Sequence, residues 1–301
     1  MFSEYLLTVV EDGIARITLN RPQHRNALNI PTLNALQEAL SAYENDSAVR
    51  AIELTGAGRG FCADADLGEW AEAEASGRLE TWGGRGPAVA LRARPHQVGS
   101  PTIPPTHGTA VGAGMDLTLC CDFRIAAASA RFKAGYTSMA YSPDAGASWH
   151  LPRLIGDEEA KRLLFLDDAW SAERALAAGL LGQVVADEEV LTAAGELAGR
   201  LASGPTFAFS LTKRLIRDSA GRTLVEQLEA RGVVGPPNHV GRRDVLIPPN
   251  GEAHPALEMM AADLPASPKR KGRLKRELES ALVSAAKKLD DDPNAKTVTP
   301  G

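Results

Sequence analysis

The sequence predicts an α/β fold organised around parallel strands, and three observations carry that prediction. The opening segment alternates about an Asp12-Gly13 turn, with Leu7 and Val9 before it and Ile14, Ile17 and Leu19 after it, which reads as a β-hairpin. A segment of helical period and a second short apolar strand follow with short connections, the strand–helix–strand order of a parallel sheet. Two glycine-rich segments, residues 56–66 and 108–116, come directly after strand-like runs.

Taken in order, Arg21-Pro22 ends the hairpin, and Pro31 opens a helix over residues 32–45 that gathers Leu33, Leu36, Leu40 and Tyr43 on one side. Residues 49–55 form a short buried strand closed by Gly56-Ala57-Gly58. Residues 69–94 read as a loose helix interrupted by Gly83-Gly84-Arg85-Gly86-Pro87. A strand is expected over 101–106, although Pro104-Pro105 removes two N–H donors from it. Residues 108–121 turn into a buried helix, and 122–126 and 130–132 are short strands. Helices are expected over 149–154, 158–166, 172–178 and 190–201, with a strand-like break at 183–185. Residues 205–230 read as one last long helical stretch. Regular patterning then stops until an amphipathic run at 274–289.

Composition narrows the function classes. The 301 residues are 44% hydrophobic and 24% charged, the balance of a globular chain with a real core. No apolar run reaches the roughly 18 residues of a membrane span, and the N-terminal residues show no basic, cleavable signal, so a cytoplasmic location is expected. Cys62, Cys120 and Cys121 cannot make a disulfide framework and read as buried reduced thiols. No CxxC, HExxH or clustered histidine pair is present, so no bound metal is expected. The net charge is −5, unevenly spread: residues 231–301 hold 12 Lys and Arg against 9 Asp and Glu, leaving an acidic body over residues 1–230. An acidic body argues against nucleic acid as a partner, because duplex binding neutralises phosphates. The tail also holds 9 of the 19 prolines, so the chain divides into a domain over 1–230 and a Pro-rich, charged and largely disordered tail over 231–301.

The glycine-rich segments fit neither GxGxxG nor a P-loop, and GxSxG is missing. Small residues at such turns leave backbone N–H groups free, and two aimed at one point form an oxyanion hole. Two carboxylates stand out. Asp144 lies in a Pro-Asp-Ala-Gly turn, where it is either a proton carrier with its pKa raised by desolvation or a helix N-cap. Asp116 closes the second glycine-rich segment as either a second proton carrier or a buried carboxylate bonded to backbone. Tyr136 reads first as packing, and His107 and His150 as structural.

The chain resembles the crotonase superfamily, the enoyl-CoA hydratase/isomerase family. The matching stretches include Ile17-Thr18-Leu19-Asn20-Arg21-Pro22 with Arg25-Asn26-Ala27-Leu28, residues 54–67, and residues 107–114. Cys121-Asp122-Phe123-Arg124-Ile125-Ala126, Ala130-Arg131-Phe132 and Ser142-Pro143-Asp144-Ala145-Gly146 continue the match, which spans roughly residues 5–230. The resemblance implies a crotonase-like spiral of ββα units followed by helices, assembled as a trimer or hexamer, with an atypical C-terminal tail here. It also implies an acyl-CoA thioester substrate and no cofactor, coenzyme A being part of the substrate.

By position, the oxyanion donors would be the N–H groups of Ala65 and Ala113, the latter following Gly112. Arg25, Ala27, Leu28, Ala63 and Asp66 would line the CoA channel. Asp116 falls at the first of the two glutamates of hydratases in the family, and Tyr136 occupies the second. The Ser-Pro-Asp-Ala-Gly stretch resembles the ring epoxide isomerases of phenylacetyl-CoA degradation, and Asp144 also matches the nucleophile position of the chlorobenzoyl-CoA dehalogenases. The expectation is an acyl-CoA isomerase in which Asp144, helped by Asp116, moves protons beside a thioester enolate. Hydration through Asp116, covalent attack by Asp144, and non-catalytic acyl-CoA binding are the alternatives. One departure is conspicuous: Asp64 stands where the family carries glycine.

Overall fold

In the computed structural model, residues 4–76 and 94–233 are described. The glycine-rich break at 83–87, the run at 274–289 and most of the tail lie outside them. Contacts divide the chain into two units, Met1–Ser210 and Leu211–Gly301, with the division falling inside the Thr206–Asp218 helix.

The first unit opens with the expected hairpin, β1 (Leu6–Glu11) and β2 (Ile14–Leu19), paired Leu6 to Leu19. Asp12 and Gly13 both take positive φ, 52° and 76°, so the two-residue turn matches the twist of its strands. The helix that follows spans Ile30–Asn45; Asn29 caps it by accepting from the Thr32 N–H at 2.9 Å, and Leu33, Leu36 and Leu40 are its buried face. β3 (Ala51–Gly56) then returns parallel to β2, pairing Ile14 with Ala51.

From there the chain winds, each pass laying strands beside those of the pass before. β4 (Cys62–Ala63) is followed by β5 (Thr102–Ile103), β6 (Pro105–Thr106) and β7 (Thr109–Val111), and then by β8 (Ile125–Ala127) and β9 (Arg131–Lys133). β10 (Trp170–Ser171) and β11 (Gln183–Val185) complete the strands described. The sheets run β1-β2-β3-β5, β10-β9-β7-β4 and β11-β8-β6, and every pairing except β1/β2 and β9/β10 is parallel. The expected spiral is therefore present, successive passes adding strands to three sheets.

Two expected elements are corrected. Residues 101–106 are not one strand: β5 pairs with β3 while β6 pairs with β8 in a different sheet, and Pro104 lies at the break. A residue that cannot donate to a ladder suits the point where the chain leaves one sheet for another. The long helical stretch at 205–230 is two helices, Thr206–Asp218 and Leu224–Val233, parted by a single 3₁₀ turn at Ser219–Gly221. In the second unit, Thr223 and Glu226 form a reciprocal cap, each N–H donating to the other's side chain, which starts the last helix.

The core sits between the sheets and their helices. The Val190–Ala202 helix shows how it closes: Val190, Ala194, Ala198 and Ala202 recur every fourth residue and pack with Ile14, Ala51, Ile103, Ile125 and Ala127. Small side chains along that stripe let the helix press close to the strands. Cys62, Cys120 and Cys121 are buried and form no disulfide. Among the described residues, no helix is long and apolar enough to cross a membrane.

Candidate active site

The first glycine-rich segment is shaped by Asn26. Its Nδ2 donates to the carbonyls of Ala57 and Gly60 at 2.9 Å and of Phe61 at 3.2 Å, while its Oδ1 accepts from the Arg21 N–H at 3.0 Å. Asn26 is buried with φ at +57°, a conformation that asparagine tolerates better than most residues. The turn cannot carry a side chain at Gly56, where an added Cβ would overlap the Phe61 carbonyl. β4 leaves this turn beside the Arg25–Leu28 segment: Ala63 N donates to Arg25 O, Leu28 N to Asp64 O and Asp66 N to Leu28 O. Leu28 and Ala65 thus form a parallel bridge, and in such a bridge the Ala65 N–H points away from the Leu28 side.

The second glycine-rich segment brings Gly112, with φ at +51°, to the start of the buried Ala113–Leu119 helix. Gly114 packs so closely on Cys62 that an added Cβ would overlap the Cys62 carbonyl. Both expected oxyanion donors, Ala65 and Ala113, therefore lie on segments held together by glycine contacts. Asp64 lies at the same place. Its Oδ1 accepts from the Ala113 N–H at 2.8 Å, and any side chain at Gly112 would overlap its carboxylate.

Asp116 is fully buried on that helix. Its Oδ2 accepts from the Tyr136 hydroxyl at 2.8 Å and from the Ala147 N–H at 3.1 Å, and its Oδ1 is buried without a hydrogen-bond partner. Burial pushes its pKa up to about 7; the bonds from Tyr136 and Ala147 oppose that push, and the charges of Asp144 and Asp64 add to it. Burial, followed by the charge and hydrogen bond of Asp116, raises the Tyr136 phenol far above its usual range, with Asp144 and Asp64 adding to it, so it stays neutral and donates.

This predicts a pH effect. The folded-state pKa of Asp116 lies above the usual 3.8, so the native state holds the proton more tightly and that contribution is full below about pH 4. It is lost as pH rises towards about 7 and is flat above. Urea midpoints for the wild type and for Asp116→Asn, a neutral isostere of the protonated acid, should lie closest near pH 4 and separate as pH rises towards about 7, the wild type falling relative to the variant; parallel curves would contradict it.

Asp144 is half-buried in the loop after the 3₁₀ turn Thr137–Met139 and before the Ala147–Ile155 helix. It is not the helix cap: Gly146 holds that position, and Asp116 supplies the side-chain acceptor for the first helical N–H. The charges of Asp144 and Asp64 both reach Asp116 and Tyr136. Tyr141, in the same loop, meets Trp70 of the Leu67–Ala75 helix with ring centroids 5.3 Å apart.

The expected CoA-channel residues divide. Arg25, Ala27 and Ala63 keep exposed or half-exposed surface along the Arg25–Leu28 segment, whereas Leu28 is wholly inside the core and offers no side chain to a ligand. The Asp66 carboxylate is bonded within the protein: Oδ2 pairs with Arg21 at 2.9 Å, and Oδ1 caps the next helix through Gly68 N and Glu69 N. Burial alone would raise the Asp66 pKa, but Arg21 and those N–H groups hold it below the usual carboxylate value. His107 bonds the Gly58 carbonyl at 3.1 Å, and His150 is buried beside Cys120 Sγ at 3.5 Å. Sequence reasoning assigned no role to Asn26, whose signal was only its place in the Arg25-Asn26-Ala27-Leu28 stretch.

Two small-residue turns meet where Asp64 accepts from the Ala113 N–H, with Asp116 on the same buried helix, an arrangement that would suit a carbonyl gaining negative charge. The family profile described as enoyl-CoA hydratase/isomerase matches residues 10–234, and the chain belongs to that family. It is 38% identical over 231 residues to the 1,2-epoxyphenylacetyl-CoA isomerase of Escherichia coli K12, covering 75% of this chain and 87% of that one. It is 35% identical over 214 residues to the crotonyl-CoA hydratase of Syntrophomonas wolfei, covering 71% and 81%. The solved structure of Pseudomonas aeruginosa PA4980 shares 66% identity at a TM-score of 0.72, over 77% of this chain and 99% of that one. The fold is that of the crotonase-type hydratases and isomerases, and the chain is an enzyme of that type.

Proposed function

We propose that this enzyme isomerises an unsaturated or cyclic acyl-CoA thioester through an enolate, with Asp144 as the proton carrier. One observation carries the choice of isomerase over hydratase. Where a water-activating glutamate pair would need a second carboxylate, Tyr136 stands as a neutral phenol bonded to Asp116 at 2.8 Å. Two ionised carboxylates that could hold and deprotonate water are therefore not paired there. Asp144, half-buried and outside that bond, is the carboxylate that this reading assigns to the acyl chain.

In this reading the thioester oxygen lies between the N–H groups of Ala65 and Ala113. Asp144 takes a proton from carbon 2 of a 3-enoyl thioester, the charge moves to the oxygen, and the proton returns at carbon 4 to leave the 2-enoyl product. Asp116 positions Tyr136 and the start of the Ala147–Ile155 helix. Arg25, Ala27 and Ala63 face the CoA moiety. The Trp70–Tyr141 contact favours a flat or cyclic acyl group, as does the similarity to an epoxyphenylacetyl-CoA isomerase. Enolate formation held by backbone donors calls for no metal or redox cofactor. A cytoplasmic trimer completes the reading; the exposed Phe165 and Leu166 at the end of the Asp157–Leu166 helix suit a subunit contact.

Hydration is the second reading, favoured by the similarity to crotonyl-CoA hydratase. NMR of the products separates the two. A 3-enoyl-CoA converted to 2-enoyl-CoA without 3-hydroxyacyl-CoA supports isomerisation, and rapid 3-hydroxyacyl-CoA formation from a 2-enoyl-CoA overturns it.

A further inference from the structure

We propose that Asp64 is a built-in occupant of the oxyanion hole, a carboxylate that every thioester must displace before reaction. The inference rests on the acyl-CoA reading above and deepens it. It stands on three contacts. Asp64 Oδ1 accepts from the Ala113 N–H at 2.8 Å, so the donor meant for the thioester oxygen is already engaged. The carboxylate lies over Gly112, where the Cβ of any other residue would overlap it. Its second oxygen points towards Gly135, 3.7 Å from where a Cβ would stand there.

The chemistry of the occupant matches that of the ligand. A carboxylate oxygen on a backbone N–H is a charge-assisted acceptor, as the enolate oxygen would be, so Asp64 holds the site as an internal imitation of the charged intermediate. One N–H cannot serve two such oxygens at full strength. Leaving Asp64 in place would also set its negative charge against the developing enolate, with Asp116 and Asp144 close by. Turnover thus begins with rotation of the Asp64 side chain out of the turn. The backbone conformation holds the residue there: φ at Asp64 is +77°, a left-handed value that glycine adopts without strain and aspartate better than most. Asp64→Gly therefore removes the carboxylate while keeping a backbone that folds.

The test uses the full chain and butyryl-CoA labelled with ¹³C at the thioester carbonyl, a saturated probe. Without ligand, the Ala113 amide proton should move upfield in Asp64→Gly, having lost a charged acceptor. With ligand, Asp64→Gly should bind about tenfold more tightly and shift the carbonyl carbon further downfield than the wild type does. Asp64→Asn, which can still accept from Ala113 but carries no charge, should fall between them. An Ala113 amide unchanged by Asp64→Gly overturns the proposal, as do equal affinities and equal carbonyl shifts in the two proteins. If the Ala113 amide responds but neither protein binds butyryl-CoA or phenylacetyl-CoA, the acyl-CoA reading fails. The gate then fails with it, leaving Asp64 as a structural acceptor only.

Discussion

Asp144→Asn should slow isomerisation of a 3-enoyl-CoA by about 10²–10⁴-fold, the range expected when a positioned proton carrier is removed. Affinity for the CoA thioester should change little, because the oxyanion donors are backbone groups and the CoA-facing segment 25–28 lies elsewhere in the sequence. The loss should thus fall on kcat rather than KM. The geometry gives the reason. Of the three neighbouring acidic side chains, Asp116 is locked to Tyr136 and Ala147, and Asp64 is bonded to Ala113. Asp144 does not cap the adjacent helix and is half-buried, and it is the carboxylate to which the proposed reaction assigns the proton. Steady-state kinetics would check this, and a loss of less than about threefold would move the proton carrier elsewhere.

Asn26→Ala should be the most damaging change to stability in the site region. It removes the side chain that ties three carbonyls, those of Ala57, Gly60 and Phe61, to the Arg21 N–H within a buried turn. Unsatisfied buried groups cost about 1–3 kcal/mol each, and alanine in a left-handed conformation adds about 1–2 kcal/mol. Partial relaxation of the turn leaves a loss of roughly 3–5 kcal/mol, or a Tm lower by about 10 °C. Asn26→Gly separates the two causes, since glycine relieves the φ of +57° but makes none of the bonds. Calorimetry should therefore place Asn26→Gly between the wild type and Asn26→Ala. A Tm drop below about 2 °C for Asn26→Ala would contradict the role given to it.

Much of the fold is legible in the sequence because local chemistry and tertiary need agree there. The Asp12-Gly13 turn, the Leu33, Leu36 and Leu40 face and the four-residue Val190–Ala202 stripe each say locally what the packing then uses. Legibility fails where the deciding partner is distant. A six-residue run containing Pro104-Pro105 reads as one poor strand, because nothing local reveals that its two ends pair in different sheets. The break at Ser219–Gly221 is similarly weak in pattern, a single turn between helices of like composition.

The site divides along the same line. Backbone donors at small-residue turns, and Asp116 and Asp144 near them, follow from the motifs. Three features depend on side chains meeting across long sequence separations: Tyr136 on Asp116, Asn26 inside the first glycine-rich turn, and Asp64 on Ala113. Asp64 stood out in sequence only as a replacement for the glycine of the family. In the structure its carboxylate accepts from the Ala113 N–H, one of the two donors proposed for the thioester oxygen.

The central claim, that this enzyme stabilises a thioester enolate, is tested most directly by proton NMR of a 3-enoyl-CoA incubated with the enzyme in D₂O. Deuterium should enter carbon 2 and carbon 4 as the double bond moves, at a rate that depends on the enzyme and falls with Asp144→Asn. Turnover of the thioester without solvent hydrogen entering either carbon, together with full activity in Asp144→Asn, would contradict the account.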